Sequence, residues 1–442
     1  MDPLNIRTID AWAVDPRAAA RTEKRGEDRL ETSGNGSRTC CGGWRIEYTG
    51  VQPGRVYSFS VEVATEGVVW ARDTLACYCI WEGLEGIRRP GGRALEHDFL
   101  FVRAEERDRF LFTGAFSAPE GAHSVTMHYV FRWTSEGKAV WKLPTIRVSE
   151  EPAPVPPVRV CVVTGKAGGR PNASDCMDAN IQFYSRLCRR AVEEVRPGLI
   201  VLPEICLQWG VKGSHLDTAV SIPGPETGVF SEIARQGKTH LVVGALEKCE
   251  DGVYNVAALI GPAGGVVGTY RKVHLAEGGE WLSELTPGSE FPVFETEIGR
   301  IGFNICMDSS VAESSRMVGL NGADFLVMPI MGDLRANSCF ETGWDFDPEK
   351  WKAIMRVRAM DNKLCMVVAR NRSRGSCIID AKGDVLAWND GDQDFIFSDV
   401  PFRDFYRFRG FSQTHLNWFQ RRPHLYGAHA DAYNYGLFSP EG

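Results

Sequence analysis

The chain has 442 residues, of which 43 % are hydrophobic and 24 % are charged, and its formal net charge is −7. This composition is typical of a globular protein long enough for two domains, and the acidic balance argues against nucleic acid or an anionic membrane as partner. No apolar run is long enough to cross a bilayer, and residues 1–40 lack the apolar segment of a signal peptide, so we expect a cytoplasmic protein without membrane partners.

Residues 1–150 read as a series of short strands. "WRIEYTG", "GRVYSFSVEVAT" and "HSVTMHYVFRW" alternate apolar with polar residues, and turn sequences such as "SAPEGAH" separate them. We predict an all-β sandwich, loosely similar to the jelly-roll, carbohydrate-binding-like modules attached to many enzymes. Its tryptophans could stack on sugar rings, but a small sandwich also needs aromatic core residues, and we favour the core interpretation. These tryptophans are Trp44, Trp70, Trp81, Trp133 and Trp141.

The thirteen cysteines are scattered along the chain, and only Cys40–Cys41 and Cys77–Cys79 look paired. Neither spacing is that of a usual zinc knuckle. We therefore expect most cysteines to be reduced and to serve as small buried hydrophobic residues.

A proline-rich linker, residues 151–157, follows the β domain in the stretch "EEPAPVPPV". Beyond it, in residues 158–442, strands alternate with helices. "VRVCVVTG", "GLIVLPE" and "DFLVMPI" are apolar enough for buried strands, and "ANIQFYSRLCRRAVEEV" and "PEKWKAIMRVRAMDN" have helical spacing. This pattern predicts a layered α/β domain.

Cys306 lies at the end of the strand in "GRIGFNICMDSS". Ser310 and Glu313 form a capping-box pattern, which predicts that a helix begins there. A thiol between a strand end and a helix N-terminus is stabilised as the thiolate, so Cys306 is a candidate nucleophile, although a structural cysteine fits equally well from this stretch alone.

A thiol nucleophile needs a base and a donor for the oxyanion. Glu204 follows the apolar strand "GLIVLP", and Lys272 follows the strand in "VVGTYRKVHL". A carboxylate at the end of a buried strand is costly without a task or a partner, and sites in α/β sheets gather at strand ends. His274 is a weaker alternative base, and the sequence contains neither HExxH nor GxSxG.

The order Glu, Lys, Cys on three strands resembles the nitrilase superfamily of carbon–nitrogen hydrolases. "IVLPE", "YRKVHL" and "GRIGFNICMD" are similar to that family's glutamate, lysine and cysteine strands. "RMVGLNGADFLVMP", "WKAIMRVRAMDNKLCMVVARN", "GSCIIDAKGDVLA" and "RRPHLYG" extend the resemblance over about residues 157 to 427.

The resemblance implies an α-β-β-α sandwich for residues 158–442. It also matches each site residue of the family to one position of this sequence. It implies that Cys306 is the nucleophile and Glu204 the base, and that Lys272 and the backbone N–H of Met307 bind the oxyanion. A second glutamate about eight residues after the lysine corresponds to Glu280, with Glu277 as a competitor. Arg316 and Asp308 are expected to be structural.

The implied reaction is hydrolysis of a small amide, with release of ammonia through a cysteine thioester and without a metal or cofactor. N-carbamoyl compounds and nitriles are alternative substrates. An amine acyltransferase and a non-catalytic binding protein are alternative functions, although every catalytic position is filled. The family resemblance also implies a homo-oligomer, a dimer or larger. Pocket loops such as "MGDLRANSCFETGWDFDPEK" would decide the substrate.

Overall fold

The computed structural model describes residues 4–84, 93–150, 155–165, 171–277, 279–332, 336–339, 343–402, 407–408, 411–412 and 421–427. The chain divides into two compact units, Met1–Pro154 with Phe405–Gly442, and Val155–Asp404. The division after Pro154 falls inside the predicted linker, whose residues 151–154 lie outside the described part. Parts of the pocket loop that we expected to decide the substrate, residues 333–335 and 340–342, also lie outside it.

The first part of the chain forms strands and one short helix, α1 (Ala71–Thr74). The strands are β1 (Asn5–Ala13), β2 (Arg21–Arg25), β3 (Arg29–Ser33), β4 (Cys41–Thr49), β5 (Arg55–Glu66), β6 (Leu75–Glu82), β7 (Ala94–Phe99), β8 (Phe101–Glu106), β9 (Arg109–Ser117), β10 (Ser124–Arg132), β11 (Lys138–Lys142) and β12 (Thr145–Glu150).

These strands pair into two sheets with the orders β1-β4-β10-β6-β7 and β2-β3-β11-β5-β9-β8, and β12 pairs with β5. Buried and exposed side chains alternate along β5 and β9, because successive residues of a strand point to opposite faces. One hydrophobic core contains side chains from both sheets, including Trp81 and Tyr129 from the first and Phe59 and Trp141 from the second.

The described cysteines of both units form no disulfide. Cys40, Cys77 and Cys79 are fully buried, as expected for cysteines that serve as small hydrophobic residues. No helix within the described residues is long and apolar enough to cross a membrane.

The second unit alternates strands with helices. Its helices are α2 (Cys176–Glu194), α3 (His215–Thr218), α4 (Pro225–Gly237), α5 (Ala312–Leu320) and α6 (Pro348–Asn362). Its strands are β13 (Val158–Val163), β14 (Leu199–Val201), β15 (His240–Cys249), β16 (Gly252–Ile260), β17 (Val266–Arg271), β18 (Val293–Thr296), β19 (Gly299–Phe303), β20 (Phe325–Ile330), β21 (Asn337–Cys339), β22 (Gly343–Phe346), β23 (Cys365–Arg370), β24 (Cys377–Ile379), β25 (Val385–Trp388) and β26 (Phe395–Val400).

Two six-stranded sheets form the centre of this unit. The glutamate sheet, named for the strand before Glu204, has the order β17-β16-β15-β14-β13-β26. The cysteine sheet, named for the strand before Cys306, has the order β18-β19-β20-β23-β24-β25. All residues of β20 and β23 are buried, as expected for parallel strands that are covered on both faces.

Three hydrophobic clusters show how sheets and helices pack. One cluster joins the two sheets, through residues such as Val201 of the glutamate sheet and Phe303 of the cysteine sheet. A second packs α2 and α4 against the glutamate sheet, with Tyr184 and Phe230. A third packs α6 against the cysteine sheet, with Trp351. The strand ends of both sheets can therefore meet in one site.

After β26 the chain returns to the first unit. β27 (Arg407–Phe408) and β28 (Phe411–Ser412) extend its first sheet beyond β7, where Phe411 is in register with His97. Arg422 Nε also lies 2.8 Å from Oδ2 of Asp73. We expected this segment to belong to the catalytic domain 158–442, but its strand pairing and this ion pair group it with the first unit.

Candidate active site

The glutamate, lysine and cysteine predicted as site residues follow the ends of three strands. Glu204 lies after β14, Lys272 directly after β17, and Cys306 after β19. β14 and β17 belong to the glutamate sheet and run in the same direction. β14 is parallel to β15, β15 is antiparallel to β16, and β16 is antiparallel to β17. Their carboxyl ends therefore lie at one edge of that sheet, and the cysteine comes from the other sheet.

Lys272 is the centre of a buried charge cluster. Its Nζ donates to Oε1 of Glu204 at 2.8 Å and to Oε2 of Glu280 at 2.6 Å. Lys272 is 1 % exposed and Glu204 is 2 % exposed, so these charges depend on one another for compensation. The sequence left Glu277 as a competitor, but Glu277 is exposed and Glu280 makes the contact.

Asn255 on β16 was not identified from the sequence. Its Nδ2 donates to Oε1 of Glu204 at 2.9 Å and to Oε1 of Glu280 at 2.7 Å, and its side chain is buried. The backbone N–H of Lys272 donates to the carbonyl of Asn255, because β16 and β17 are neighbours. The Asn255 amide on β16 and the Lys272 ammonium directly after the neighbouring strand β17 thus hold both carboxylates.

Glu204 is also held by groups that follow strands of the cysteine sheet. The N–H of Met331, directly after β20, donates to its Oε2 at 2.9 Å. Nδ2 of Asn371, directly after β23, donates to its backbone carbonyl at 2.8 Å. Hydrogen bonds to both carboxylate oxygens keep Glu204 in one orientation.

A glycine on β15 allows the Glu204 segment to lie close to its sheet. A Cβ at Gly244 would lie 2.1 Å from the carbonyl oxygen of Pro203 and 2.9 Å from Cα of Glu204. Any side chain here would displace the backbone that carries the glutamate.

Cys306 has a φ of 44°, a conformation that is rare and strained for a residue with a side chain. It begins a 3-10 helix, Cys306–Ser310, and Met307 is the second residue of that turn. The helix begins later than the predicted start at Ser310: α5 begins at Ala312 with Val311 as its N-cap, because the 3-10 turn extends to Ser310.

Asp308 fixes this turn from within. Its carboxylate is fully buried and accepts from the N–H of Ile305 at 2.8 Å and from the hydroxyl of Tyr270 at 2.7 Å. The other oxygen accepts from the N–H of His274 at 2.9 Å, and Nδ1 of His274 lies 2.8 Å from it. Tyr270 and His274 flank Lys272, so Asp308 joins the lysine strand to the cysteine turn. A structural role for Asp308 agrees with the sequence prediction, and His274 faces Asp308 rather than acting beside the thiol.

The environment of Cys306 differs from the prediction. We expected a stabilised thiolate, but burial is the main effect and raises the pKa of Cys306 to about 12. The charge of Glu204 raises this pKa further, whereas the charge of Lys272 lowers it. At neutral pH the group is a thiol, so a nucleophilic role requires a base at the moment of attack.

Burial by itself would lower the pKa of Lys272. The charges of Glu204 and Glu280, joined by that of Cys306 when its thiol is ionised, outweigh burial, so the pKa of Lys272 is raised and the ammonium stays protonated. The cluster therefore offers a permanent cation, two carboxylates and a thiol. Within the described residues, no group of three His, Cys, Asp or Glu side chains is arranged to hold a metal ion.

The carbon-nitrogen hydrolase family model matches residues 171–409, more than half of the chain. The omega-amidase NIT2 of Xenopus tropicalis is 30 % identical over 216 residues, which cover 46 % of this chain and 72 % of that protein. The omega-amidase NIT2 of Homo sapiens is 29 % identical over 239 residues, which cover 50 % of this chain and 83 % of that protein. The chain belongs to the carbon-nitrogen hydrolase family.

A solved structure shares the fold of a large part of this chain. The crystal structure of a carbon-nitrogen hydrolase from Helicobacter pylori G27 matches with a TM-score of 0.50 and 18 % identity, and the match covers 62 % of this chain and 99 % of that one. Apart from residues 405–409, the family match lies within the second unit, and the protein is a carbon–nitrogen hydrolase.

Proposed function

We propose that this hydrolase cleaves the C–N bond of a small-molecule amide, releasing ammonia through a thioester on Cys306. The observation that carries the proposal is the buried cluster around Lys272, whose ammonium binds both Glu204 and Glu280. The strained Cys306 lies next to it, since its Sγ is 3.5 Å from the carbonyl of Gly332 and the preceding residue, Met331, donates to Glu204. Such a cluster is expensive to bury, and strained, charged sites of this kind are typical of catalytic centres.

In the first half-reaction, Glu204 takes the proton from the Cys306 thiol as the sulfur attacks the carbonyl carbon. The new C–S bond forms while the C=O electrons move onto oxygen. The ammonium of Lys272 and the backbone N–H of Met307 stabilise this oxyanion. Glu204 then gives its proton to the amide nitrogen, the C–N bond breaks, and ammonia leaves.

In the second half-reaction, water gives a proton to Glu204 and attacks the thioester carbonyl. The tetrahedral intermediate collapses with cleavage of the C–S bond, and the proton returns to the sulfur. Glu280 orients Lys272 and the attacking water. Because both glutamates accept from Asn255, their carboxylates keep a fixed separation through both steps.

We further propose that Val155–Asp404 is the catalytic unit, with its layers in the order α-β-β-α. The two sheets share one core, and helices pack outside each of them, which supports this order. The first unit is proposed to be a jelly-roll-like accessory unit. Homo-oligomerisation and a cytoplasmic location stay predictions.

The amide is the proposed substrate because the similar curated proteins are omega-amidases. N-carbamoyl compounds and nitriles are the alternatives within the same chemistry. An acyltransferase would use an amine in place of the water of the second half-reaction, and a non-catalytic binding protein would use none of these steps.

The test is ammonia release from a panel of small amides, N-carbamoyl amino acids and nitriles, with wild type, Cys306→Ala and Cys41→Ala. Cys41 is another partly exposed cysteine and serves as the matched control. We expect turnover of at least one amide by wild type and Cys41→Ala and none by folded Cys306→Ala. Normal ammonia release by Cys306→Ala would contradict the nucleophile assignment.

A further inference from the structure

The β-sandwich unit leaves two of its tryptophans exposed. Trp44, Trp81 and Trp141 are buried, as the core interpretation predicts, but Trp70 is 54 % exposed and Trp133 is 46 % exposed. A single exposed apolar residue is normal, but large apolar side chains that are exposed together can mark a ligand-binding surface.

Both exposed tryptophans line the same cleft. This cleft belongs to the first unit and has a volume of about 1160 Å³. Phe101, Val102 and Phe110 supply apolar surface to it. The cleft is large enough for a small organic ligand, whose sites typically measure roughly 300–1,000 Å³.

Each indole has one occupied face. The Trp70 ring stacks on His424 with centroids 4.2 Å apart and planes at 21°. The Arg132 guanidinium lies 3.9 Å from the centre of the Trp133 ring. Because each side chain is still about half exposed, part of each indole remains open to solvent and can contact a ligand ring.

The backbone at Trp133 is strained, with a φ of 63°. A bulky residue in this left-handed conformation is a conformational outlier, and such outliers cluster at functional sites. Strain at Trp133 has no benefit for the core, since its side chain is not in the core. It does hold the indole toward the cleft that it lines.

Arginines outnumber acidic residues in the cleft lining, which favours an anionic ligand over a cationic one. The arginines are Arg72, Arg107, Arg132, Arg421 and Arg422, and the acidic residues are Asp73, Glu106 and Asp108.

Two of the acidic residues already have cationic partners. Asp73 lies 2.8 Å from Nε of Arg422 and 3.1 Å from Nε2 of His424, and Glu106 lies 3.6 Å from Arg109. Arg422 lies 5.9 Å from the Trp133 ring, so two guanidiniums converge on one indole. Burial is the main cause that lowers the pKa of Arg132, while the charge of Asp73 raises it and the charge of Arg422 is the smallest of the contributions that lower it.

We propose that this cleft is a binding site for a small organic anion that carries a ring with an apolar face. The exposed parts of the two indoles would pack on the ring, and the arginines would bind the carboxylate or phosphate with charge-assisted hydrogen bonds. An aromatic acid and an acidic sugar both have this chemistry. All residues that line the cleft lie outside the family match, which covers residues 171–409. The site is therefore independent of the proposed amidase reaction.

The experiment is isothermal titration of the full chain with two anions, 2-naphthoate and D-glucuronate, and with their neutral counterparts, 2-naphthylmethanol and D-glucose. We expect one anion to bind and its neutral counterpart to bind at least about tenfold more weakly, since a charge-assisted contact is lost. Binding of 2-naphthoate alone identifies aromatic acids, and binding of D-glucuronate alone identifies acidic sugars.

Variants locate the binding. Trp133→Asn removes the indole but keeps a residue that tolerates the left-handed conformation, and Arg132→Gln removes one cation. Each should weaken anion binding by about tenfold, whereas Trp281→Ala, which removes an exposed tryptophan of the second unit, should not. The proposal is overturned if neither anion binds, if the neutral compounds bind equally well, or if both cleft variants retain full affinity.

Discussion

Nζ of Lys272 lies 2.6 Å from Oε2 of Glu280 and 2.8 Å from Oε1 of Glu204, so one ammonium contacts both glutamates. Glu280 is held by the lysine, by Asn255 and by the N–H of Ala276, which donates to Oε2 at 2.8 Å. It is therefore well placed to orient the ammonium. Glu204 has the same lysine, but its charge also acts on the pKa of Cys306.

Glu204→Gln and Glu280→Gln should separate these roles. We expect both variants to lose about 10²-fold or more in kcat, because each removes a group of the acid–base and oxyanion machinery. Only Glu204→Gln should also slow alkylation of Cys306 by iodoacetamide at pH 7. The direction of the change in alkylation rate is informative, because removal of the Glu204 charge lowers the pKa of Cys306 and would by itself speed alkylation. Equal suppression of alkylation by both variants would contradict this division.

Lys272→Gln should reduce both activity and stability. The lysine charge lowers the pKa of Cys306, so its loss raises that pKa further and leaves less thiolate at every pH below about 12. Two buried carboxylates also lose their cation, which should cost about 3–5 kcal/mol of unfolding free energy. Urea unfolding and kcat measure the two effects, with the exposed Lys238→Gln as control. A Lys272→Gln enzyme with near-normal kcat would show that another group binds the oxyanion.

Asn255→Ala should lower kcat by about tenfold or more, because the fixed separation of Glu204 and Glu280 depends on this amide. Asn371→Ala is the matched control: it removes an amide that bonds only the backbone carbonyl of Glu204. Steady-state kinetics on both variants test the expectation. A larger loss of kcat in Asn371→Ala than in Asn255→Ala would mean that the backbone position, not the carboxylate spacing, limits the reaction.

Tyr270→Phe removes the hydroxyl that donates to Asp308 at 2.7 Å. The loss should cost about 1–3 kcal/mol, since a buried carboxylate loses one of its donors, and it should also lower kcat by loosening the cysteine turn. Tyr184→Phe is matched, because its buried hydroxyl donates to the carbonyl of Gly165 at 2.8 Å, away from Asp308. Urea unfolding should show a loss in both variants, whereas kcat should fall only in Tyr270→Phe.

Lys363→Gly should stabilise the protein. Lys363 ends α6 with a φ of 55°, and relief of this left-handed strain is worth about 1–2 kcal/mol. Burial lowers the pKa of Lys363 to about 8, and Arg316 adds to this effect. The charged form therefore destabilises the fold fully below pH 8, and the cost disappears as pH rises toward 10.5, the ordinary pKa of a lysine.

The gain from Lys363→Gly should thus be largest below pH 8 and shrink between pH 8 and 10.5, above which only the backbone part remains. Thermal unfolding at several pH values measures it. Lys238→Gly is the control for the backbone part, because Lys238 ends α4 with a φ of 48° and is exposed. A gain from Lys363→Gly that does not change over this range would exclude the charge contribution.

The positions of Glu204, Lys272 and Cys306 could be predicted because each of these residues follows the end of a strand, and the change from strand to polar residue is a local signal. Asn255 could not be predicted in the same way. It lies inside a buried strand, and its role depends on which residues the register of β16 and β17 and the packing of two sheets bring together. Such long-range relationships leave no local pattern in one sequence.

The ionisation of Cys306 shows a second limit. Its sequence neighbourhood predicts a stabilised thiolate, whereas burial between two sheets raises its pKa. A helix terminus acts only on nearby groups, but the loss of solvent around a side chain depends on the whole fold, and for this thiol the loss of solvent has the stronger influence. The segment after residue 404 shows a further limit: the sequence predicts it as part of the catalytic domain, whereas its partners, His97 and Asp73, lie hundreds of residues earlier in the first unit.

The first unit is discontinuous, and this has a consequence for synthesis. On the ribosome, residues 155–404 emerge before Phe411 can pair with β7, so the second unit can fold while the first unit still lacks β27 and β28. Until then β7 has an unpaired edge, which is a surface for chaperones or for aggregation. Premature release of the nascent chain would therefore impair the folding of the first unit more than that of the second, although most of the first unit is translated first.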